Sequence, residues 1–324
     1  MGQLSEQDAK TAAALMERVL YELKKVIVGQ EYLLERLLIA VIAGGHVLVE
    51  GAPGLAKTLT LKCLSQVLSV DFKRIQFTPD LLPSDLIGTR IYNPVSGEFT
   101  TELGPIQANF ILADEINRAP AKVQSALLEA MQEHQVTIGK ETFTLKEPFL
   151  VMATQNPIES EGTYPLPEAQ LDRFLFKLLV TYPDPKEEMV IIQRMTGGEV
   201  PLLDKVFKAK QLLAMREQAA QVYMDPKLMS YIVDIVQATR DTGNRNIRYG
   251  SSPRGSLALA HACKAHALMR GRTYVTPEDV TMLIHDALRH RVLISYEGMA
   301  SGLTSDTVLD EVQARILPPM LTGV

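Results

Sequence analysis

Apolar positions along the first forty-odd residues recur at helical spacing. Leu15, Val19, Leu20 and Leu23 share one face of a helix expected over 5–26, with Glu17, Lys24 and Lys25 elsewhere. Val28-Gly29-Gln30 interrupts that rhythm, and a second helix is expected from 31 to about 43. The pattern then changes to short, mostly apolar runs at 47–50, 108–113, 149–153 and 174–180, with 72–77 a plausible further strand. Runs of this length suit strands buried on both faces. They alternate with helix-like stretches at 57–68, 121–133 and 168–173. That alternation predicts an α/β fold, a parallel five-stranded sheet flanked by helices.

Two interruptions break the alternation. Residues 78–106 contain Pro79, Pro83, Pro94 and Pro105, with a short helix expected at 84–87. A hairpin follows, 90–92 and 99–101 around a turn at 93–97. A second hairpin pairs 136–138 with 142–145 around Gly139-Lys140-Glu141. An insertion of this length in a compact domain is more often functional than ornamental. After Tyr182-Pro183-Asp184-Pro185 the pattern predicts helices only, at about 186–195, 208–222, 227–241, 253–270, 277–290 and 305–316. The chain therefore divides into an α/β unit over 1–184 and an all-helical unit over 185–324.

Composition narrows the function classes. The chain of 324 residues is 46% hydrophobic and 22% charged, an ordinary globular balance. Its formal net charge of -5 argues against a general nucleic-acid binder, which usually presents a basic face. Two cysteines, Cys63 and Cys263, stand far apart in helix-like surroundings, which favours a reducing compartment over a disulfide framework. The first residues lack a cationic-then-apolar leader pattern, and the longest apolar run, 37–43, falls short of the roughly 20 residues of a membrane span. The expectation is a soluble, cytoplasmic protein.

The candidate chemistry begins at Gly51-Ala52-Pro53-Gly54-Leu55-Ala56-Lys57-Thr58, with Leu59 next on the helix. A strand, a turn and a helix start surround a lysine and a threonine. Backbone N–H groups of such a turn point at phosphate oxygens, and the helix behind it presents its positive dipole end. Lys57 would reach the terminal phosphates and Thr58 would hold Mg²⁺. The generic pattern has glycine before the lysine, where this chain has Ala56.

A hydrolytic site also needs carboxylates at a strand end. The run 110–113 is apolar and opens onto Asp114-Glu115, at the C-terminal end where open α/β sheets place ligands. Asp114 would be the Mg²⁺-associated acid, and Glu115 would polarise the attacking water. Asn156, after the buried run 149–153, has an amide able to reach a γ-phosphate or that water; as Asn before Pro157 it equally suits a plain turn. Arg173 lies between a short helix and a strand. It reads either as a finger directed at a neighbouring subunit's nucleotide, worth about 10³ to 10⁵ in rate, or as an ion-pair partner of Asp172. Ser252-Pro253-Arg254 looks like an N-cap with proline at the first helical position, placing Arg254 at a positive helix end with no obvious acid nearby. The six histidines show no metal-ligand spacing.

With these residues assembled, the chain resembles the AAA+ ATPases, and within them the MoxR family, over nearly its whole length. Val28-Gly29-Gln30 is similar to the family's adenine-side motif, and 44–58 to its Walker A region, where alanine before the lysine also occurs. Leu112-Ala113-Asp114-Glu115-Ile116-Asn117-Arg118-Ala119-Pro120 is similar to its Walker B segment. Asn156 matches sensor 1, Arg173 the arginine finger and Arg254 sensor 2. The 78–106 insertion and the 136–145 hairpin resemble the helix-2 insert and pre-sensor-1 hairpin, which magnesium chelatase ATPase subunits and replicative helicases share. The resemblance implies an ATP hydrolase using Mg²⁺, a homo-oligomeric ring, most simply a hexamer, and a partner carrying a von Willebrand factor A domain. It implies chaperone-like maturation of protein complexes. A magnesium-chelatase-like subunit and a helicase-like nucleic-acid motor are the alternatives, the latter opposed by the acidic balance. Whether Arg254 acts in its own subunit or across an interface stays open at this stage.

Overall fold

The computed structural model describes residues 4–95, 97–157, 162–197, 201–241 and 245–321. Met1 to Gln3, read above for a leader, and Ser96 of the 93–97 turn lie outside the described residues.

The chain opens with α1 (Glu6–Val26) and α2 (Glu31–Ala43), then β1 (Val47–Glu50), α3 (Lys57–Val67) and β2 (Phe72–Gln76). The insertion supplies α4 (Pro83–Ile87), β3 (Gly88–Asn93) and β4 (Glu98–Leu103). There follow β5 (Phe110–Asp114), α5 (Ala121–Glu133), β6 (Gln135–Ile138), β7 (Glu141–Thr144), β8 (Leu150–Gln155), α6 (Glu168–Leu171) and β9 (Phe176–Leu179). The remainder comprises α7 (Pro185–Thr196), α8 (Ala209–Gln221), α9 (Pro226–Ala238), β10 (Ile247–Tyr249), α10 (Pro253–Met269), α11 (Pro277–Leu288), β11 (Leu293–Ile294), α12 (Tyr296–Ala300) and α13 (Ser305–Arg315).

Five strands form a parallel sheet in the order β2-β5-β8-β1-β9. The central strands β5, β8 and β1 are covered on both faces, which is why their sequences stay apolar almost to their last residues, whereas the edge strand β2 exposes Lys73, Arg74 and Gln76. Val47 and Val49, Phe110 and Leu112, and Leu150 and Met152 join one buried cluster with α1, α2 and α3. Their neighbours Leu48, Ile111 and Ala113, and Val151 and Ala153, join a second cluster with α4 and α5 on the opposite face. The crossover from β1 runs to β2 on one flank, and the crossover from β8 passes β1 to reach β9. The C-terminal ends of β1 and β8 therefore form the switch point where such sheets take ligands.

The expected elements are present with shifts of one to three residues at their ends, the largest at α9, which ends at Ala238 where the pattern predicts 241. Two differences matter. The stretch after 185 is not purely helical: β10 pairs antiparallel with β11, and α12 follows. Strands of two and three residues joined across forty positions carry no periodicity that a sequence window can detect. Helix α6 ends at Leu171, not 173, so Asp172 and Arg173 stand in the turn before β9. The first apolar cluster also continues from α1 and α2 into α8, α9, α10 and α11, so the C-terminal helices share a core with the N-terminal ones. The hairpins β3–β4 and β6–β7 lie side by side, joined where Thr101 donates its hydroxyl to Glu141 at 3.1 Å.

Candidate functional site

The loop between β1 and α3 turns sharply enough to need left-handed backbone twice. Gly54 has φ 83°, and Ala56, the N-cap of α3, has φ 56°. A glycine adopts such angles without cost, whereas an alanine does so against a penalty of about 1–2 kcal/mol. The generic preference for glycine before the lysine is thus a backbone requirement that Ala56 meets under strain. Helix α3 starts at Lys57, whose Nζ donates to the Gly51 carbonyl at 2.7 Å across the loop. Burial pulls the Lys57 ammonium below its ordinary pKa range, against the opposing pull of Asp114 and Glu115. The Gly51 amide donates to the Gln155 carbonyl at 3.3 Å, tying the loop to the end of β8.

Asp114 closes β5, and Glu115 follows it with φ 55°. That left-handed turn sends the two consecutive carboxylates in different directions. Asp114 Oδ1 accepts from the Thr154 hydroxyl at 2.6 Å, and the Glu115 amide donates to that same hydroxyl oxygen at 2.9 Å. Asp114 Oδ2 accepts from Arg74 Nε at 3.0 Å and Nη2 at 2.6 Å. Glu115 Oε2 accepts from Gln76 Nε2 at 2.9 Å and from Arg118 at 3.3 Å. A cleft of about 400 Å³ opens between these carboxylates and the loop, lined by Pro53 to Leu59, Arg74, Asp114, Glu115, Thr154, Gln155 and Asn156.

Gly51 and Ala52 do not line that cleft, and neither does the 28–30 triplet, yet all lie at the same end of the sheet. Gln30 Nε2 donates to the Thr181 carbonyl at 3.2 Å, just past β9, and the Val180 carbonyl lies against Gly51. Gly29 has φ 65°, and a Cβ there would stand 2.6 Å from the Glu187 carboxyl carbon, so Val28-Gly29-Gln30 is seated against the start of α7.

Comparison with known proteins now decides the relationship. Residues 46–176 match the ATPase family associated with various cellular activities, and 242–312 match the AAA lid domain. Chaperone MoxR1 of Mycobacterium tuberculosis is 50% identical over 95% of this chain and 84% of its own length. The chain belongs to the MoxR family of AAA+ ATPases. The crystal structure of a provisionally assigned ATPase from Cytophaga hutchinsonii superposes with a TM-score of 0.90 at 45% identity, covering 96% of this chain and 97% of that one. The magnesium-chelatase 38 kDa subunit of Chlorobaculum parvum is more distant, 27% identical over 82% of this chain and 90% of its own length.

Against the MoxR frame, the arginines of the resemblance are the informative residues. Arg173 and Arg254 line one cavity of about 290 Å³, together with Gly44, Gly45 and His46. Those three residues precede β1, and Arg173 precedes β9, so the cavity lies at the N-terminal end of the parallel strands. The phosphate loop lies at the other end. The local ion pair between Arg173 and Asp172 does not form. Asp172 instead accepts from Arg291 Nε at 2.8 Å and from the Ser252 hydroxyl at 2.8 Å. Ser252 caps α10 as expected, its oxygen accepting from the Arg254 amide at 3.1 Å. No carboxylate within 4 Å pairs with Arg173 or Arg254 among the described residues.

Five residues at the site were not singled out in the sequence: Arg74, Gln76, Arg118, Thr154 and Gln155. Arg74 and Gln76 stand two apart on β2, hence on one face, and this spacing at the end of an edge strand was their available signal. Thr154 follows Ala153, the partner of Ala113, and so reaches Asp114 from the neighbouring strand, a relation that only strand order reveals.

Proposed function

We propose that this MoxR-family chain hydrolyses ATP to ADP and phosphate in the cleft between the 51–58 loop and the end of β5. The observation that carries the reading is the convergence of Lys57, Thr58, Asp114 and Glu115 on one cleft. An amine, a hydroxyl and two carboxylates at a helix N-terminus are the donor set that a triphosphate and Mg²⁺ require. Thr58 and Asp114 would hold the metal, which would offset phosphate charge when bound. Lys57 would exchange its Gly51 carbonyl for a terminal phosphate oxygen. Glu115 would orient the attacking water and take its proton at a carboxylate oxygen, and Asn156 would hold the γ-phosphate or that water. Val28, Gly29 and Gln30 would flank the adenine, with Gly51 to Leu59 around the phosphates.

The placement of Arg173 and Arg254 at the opposite end of the sheet supports a ring. Neither can serve its own loop, so both would reach the nucleotide of a neighbouring copy, with a hexamer the expected closure. We place the boundary of the moving units at 184/185, where Asp184 caps α7. Hydrolysis would shift the lid helices against the sheet and remodel a client protein, as the chaperone name of the Mycobacterium tuberculosis relative suggests. A von Willebrand factor A domain partner follows from the family alone. Two free, buried cysteines favour the cytoplasm.

The test is Glu115→Gln. It retains ATP binding and abolishes turnover, whereas Lys57→Ala loses binding. Normal turnover by Glu115→Gln removes Glu115 from this role.

A further inference from the structure

The donors on Asp114 point to a competition. Its carboxylate is engaged at both oxygens from within the chain: Thr154 holds Oδ1, and Arg74 places both Nε and Nη2 on Oδ2. Arg74 Nη2 also donates to Gln76 Oε1 at 2.8 Å, which holds the guanidinium between Asp114 and Gln76. Arg74 stands on the edge strand of the sheet and is half exposed, whereas Asp114 is mostly buried. The arginine can therefore swing into solvent, and the carboxylate cannot follow it.

We infer that Arg74 is a resident cation competing with Mg²⁺ for Asp114, so that the Arg74–Asp114 pair sets the Mg²⁺ concentration at which nucleotide is held tightly. The inference rests on the reading of Asp114 as the metal-associated acid. Arg74 grips Oδ2 with two N–H groups of one guanidinium, which sets a full positive charge against the side of Asp114 that faces β2. Asp114 would hold Mg²⁺ more weakly with that guanidinium beside it, since the two cations repel each other and share one carboxylate's charge. One cation would replace another, the guanidinium's single charge giving way to a divalent ion, so Asp114 is never left buried without a counter-charge, which is the costly alternative. Loading Mg²⁺-nucleotide thus frees Arg74, and its release leaves Gln76 without its donor while Gln76 still holds Glu115. Arg74 is a positioning residue in this account, since it acts through Asp114 rather than on substrate.

The test is a Mg²⁺ titration of the binding of a fluorescent, non-hydrolysable ATP analogue to the full-length wild type, Arg74→Met and Arg74→Lys. Arg74→Met keeps the stem of the side chain and removes the competing charge. Its half-saturating Mg²⁺ concentration should fall about three- to tenfold, the range for a part-exposed charge pair. Its affinity for the analogue in EDTA should move by a smaller factor than that midpoint does. Arg74→Lys keeps a cation with poorer geometry and should fall between the two. An unchanged or raised midpoint in Arg74→Met, with circular dichroism like wild type, overturns the inference. So does a loss of affinity by the same factor with and without Mg²⁺, which would make Arg74 a phosphate contact. A wild type whose binding ignores Mg²⁺ overturns the metal reading of Asp114 itself, and with it this inference. The two failures are therefore distinct.

Discussion

Thr154 donates its hydroxyl to Asp114 at 2.6 Å from the adjacent strand. The same oxygen accepts the Glu115 amide, so one side chain fixes the direction of both acids. Thr154→Val conserves shape and removes the hydroxyl. It leaves that amide without a partner, at a cost of about 1–3 kcal/mol in urea-monitored stability. Turnover should drop by roughly tenfold or more as the carboxylates lose their common anchor, and Thr154→Ser should recover most of it. A Val variant with wild-type turnover would show that the hydroxyl does not position the acids.

The left-handed backbone at Ala56 gives a second expectation. Ala56→Gly relieves the strain at φ 56° and offsets part of the gain with a more flexible unfolded chain. Its stability should be equal to or about 0.5 kcal/mol above wild type. Ala56→Val puts a branched side chain at the same angle and should cost about 1–2 kcal/mol. Thermal unfolding of the pair checks the order Gly, Ala, Val, and any other order argues against backbone strain at this position.

The arginine cavity yields an experiment that needs no knowledge of the client. Glu115→Gln and Arg173→Ala are each expected to be inactive alone. In a mixed ring, an Arg173 from one variant faces an intact Glu115 in the other. Random mixing should restore about a quarter of wild-type turnover, the chance of that pairing at an interface. Turnover that stays at the level of the separate variants rules out supply of Arg173 by a neighbour.

Stability should depend on pH through His46. It is buried, its Nδ1 accepts from the Val151 amide at 3.0 Å, and its Nε2 donates to the Met131 carbonyl at 3.2 Å, which is the neutral ring with one tautomer fixed. Burial lowers its pKa from 6.5 to about 4. The folded value lies below the unfolded one, so the unfolded chain binds the proton more readily. The contribution is complete above about pH 6.5 and is lost as pH falls toward 4, about 2 kcal/mol being gone at pH 5. Buried His290, also held well below the ordinary range by burial, acts in the same direction. Urea titrations at pH 7.5 and 5 should show the loss, and His46→Asn should lower stability overall while flattening that pH dependence. An unchanged slope in the variant would assign the pH response to other groups.

Much of the fold was legible because its information is local. Strands buried on both faces read as apolar runs, and the loop at 51–58 carries its own turn, lysine and helix start. Asp114 and Glu115 stood out because charge follows immediately on a buried run. Arg74 did not, since one cation on an edge strand looks like any solvated side chain until its partner is known. The β10–β11 pair was missed for a related reason: five residues in two distant pieces have no period to detect.

The amino-acid order by itself thus determined the elements, the class of sheet and the residues able to handle phosphate, all of which depend on neighbours a few positions apart. Which end of the sheet each of those residues occupies depended on the parallel strand order and on where the chain crosses over. That ordering is a property of the packed sheet. It put Lys57, Asp114 and Glu115 in one cleft, sent Arg173 and Arg254 to the opposite end, and brought Arg74 and Thr154 onto an acid 40 residues away in sequence.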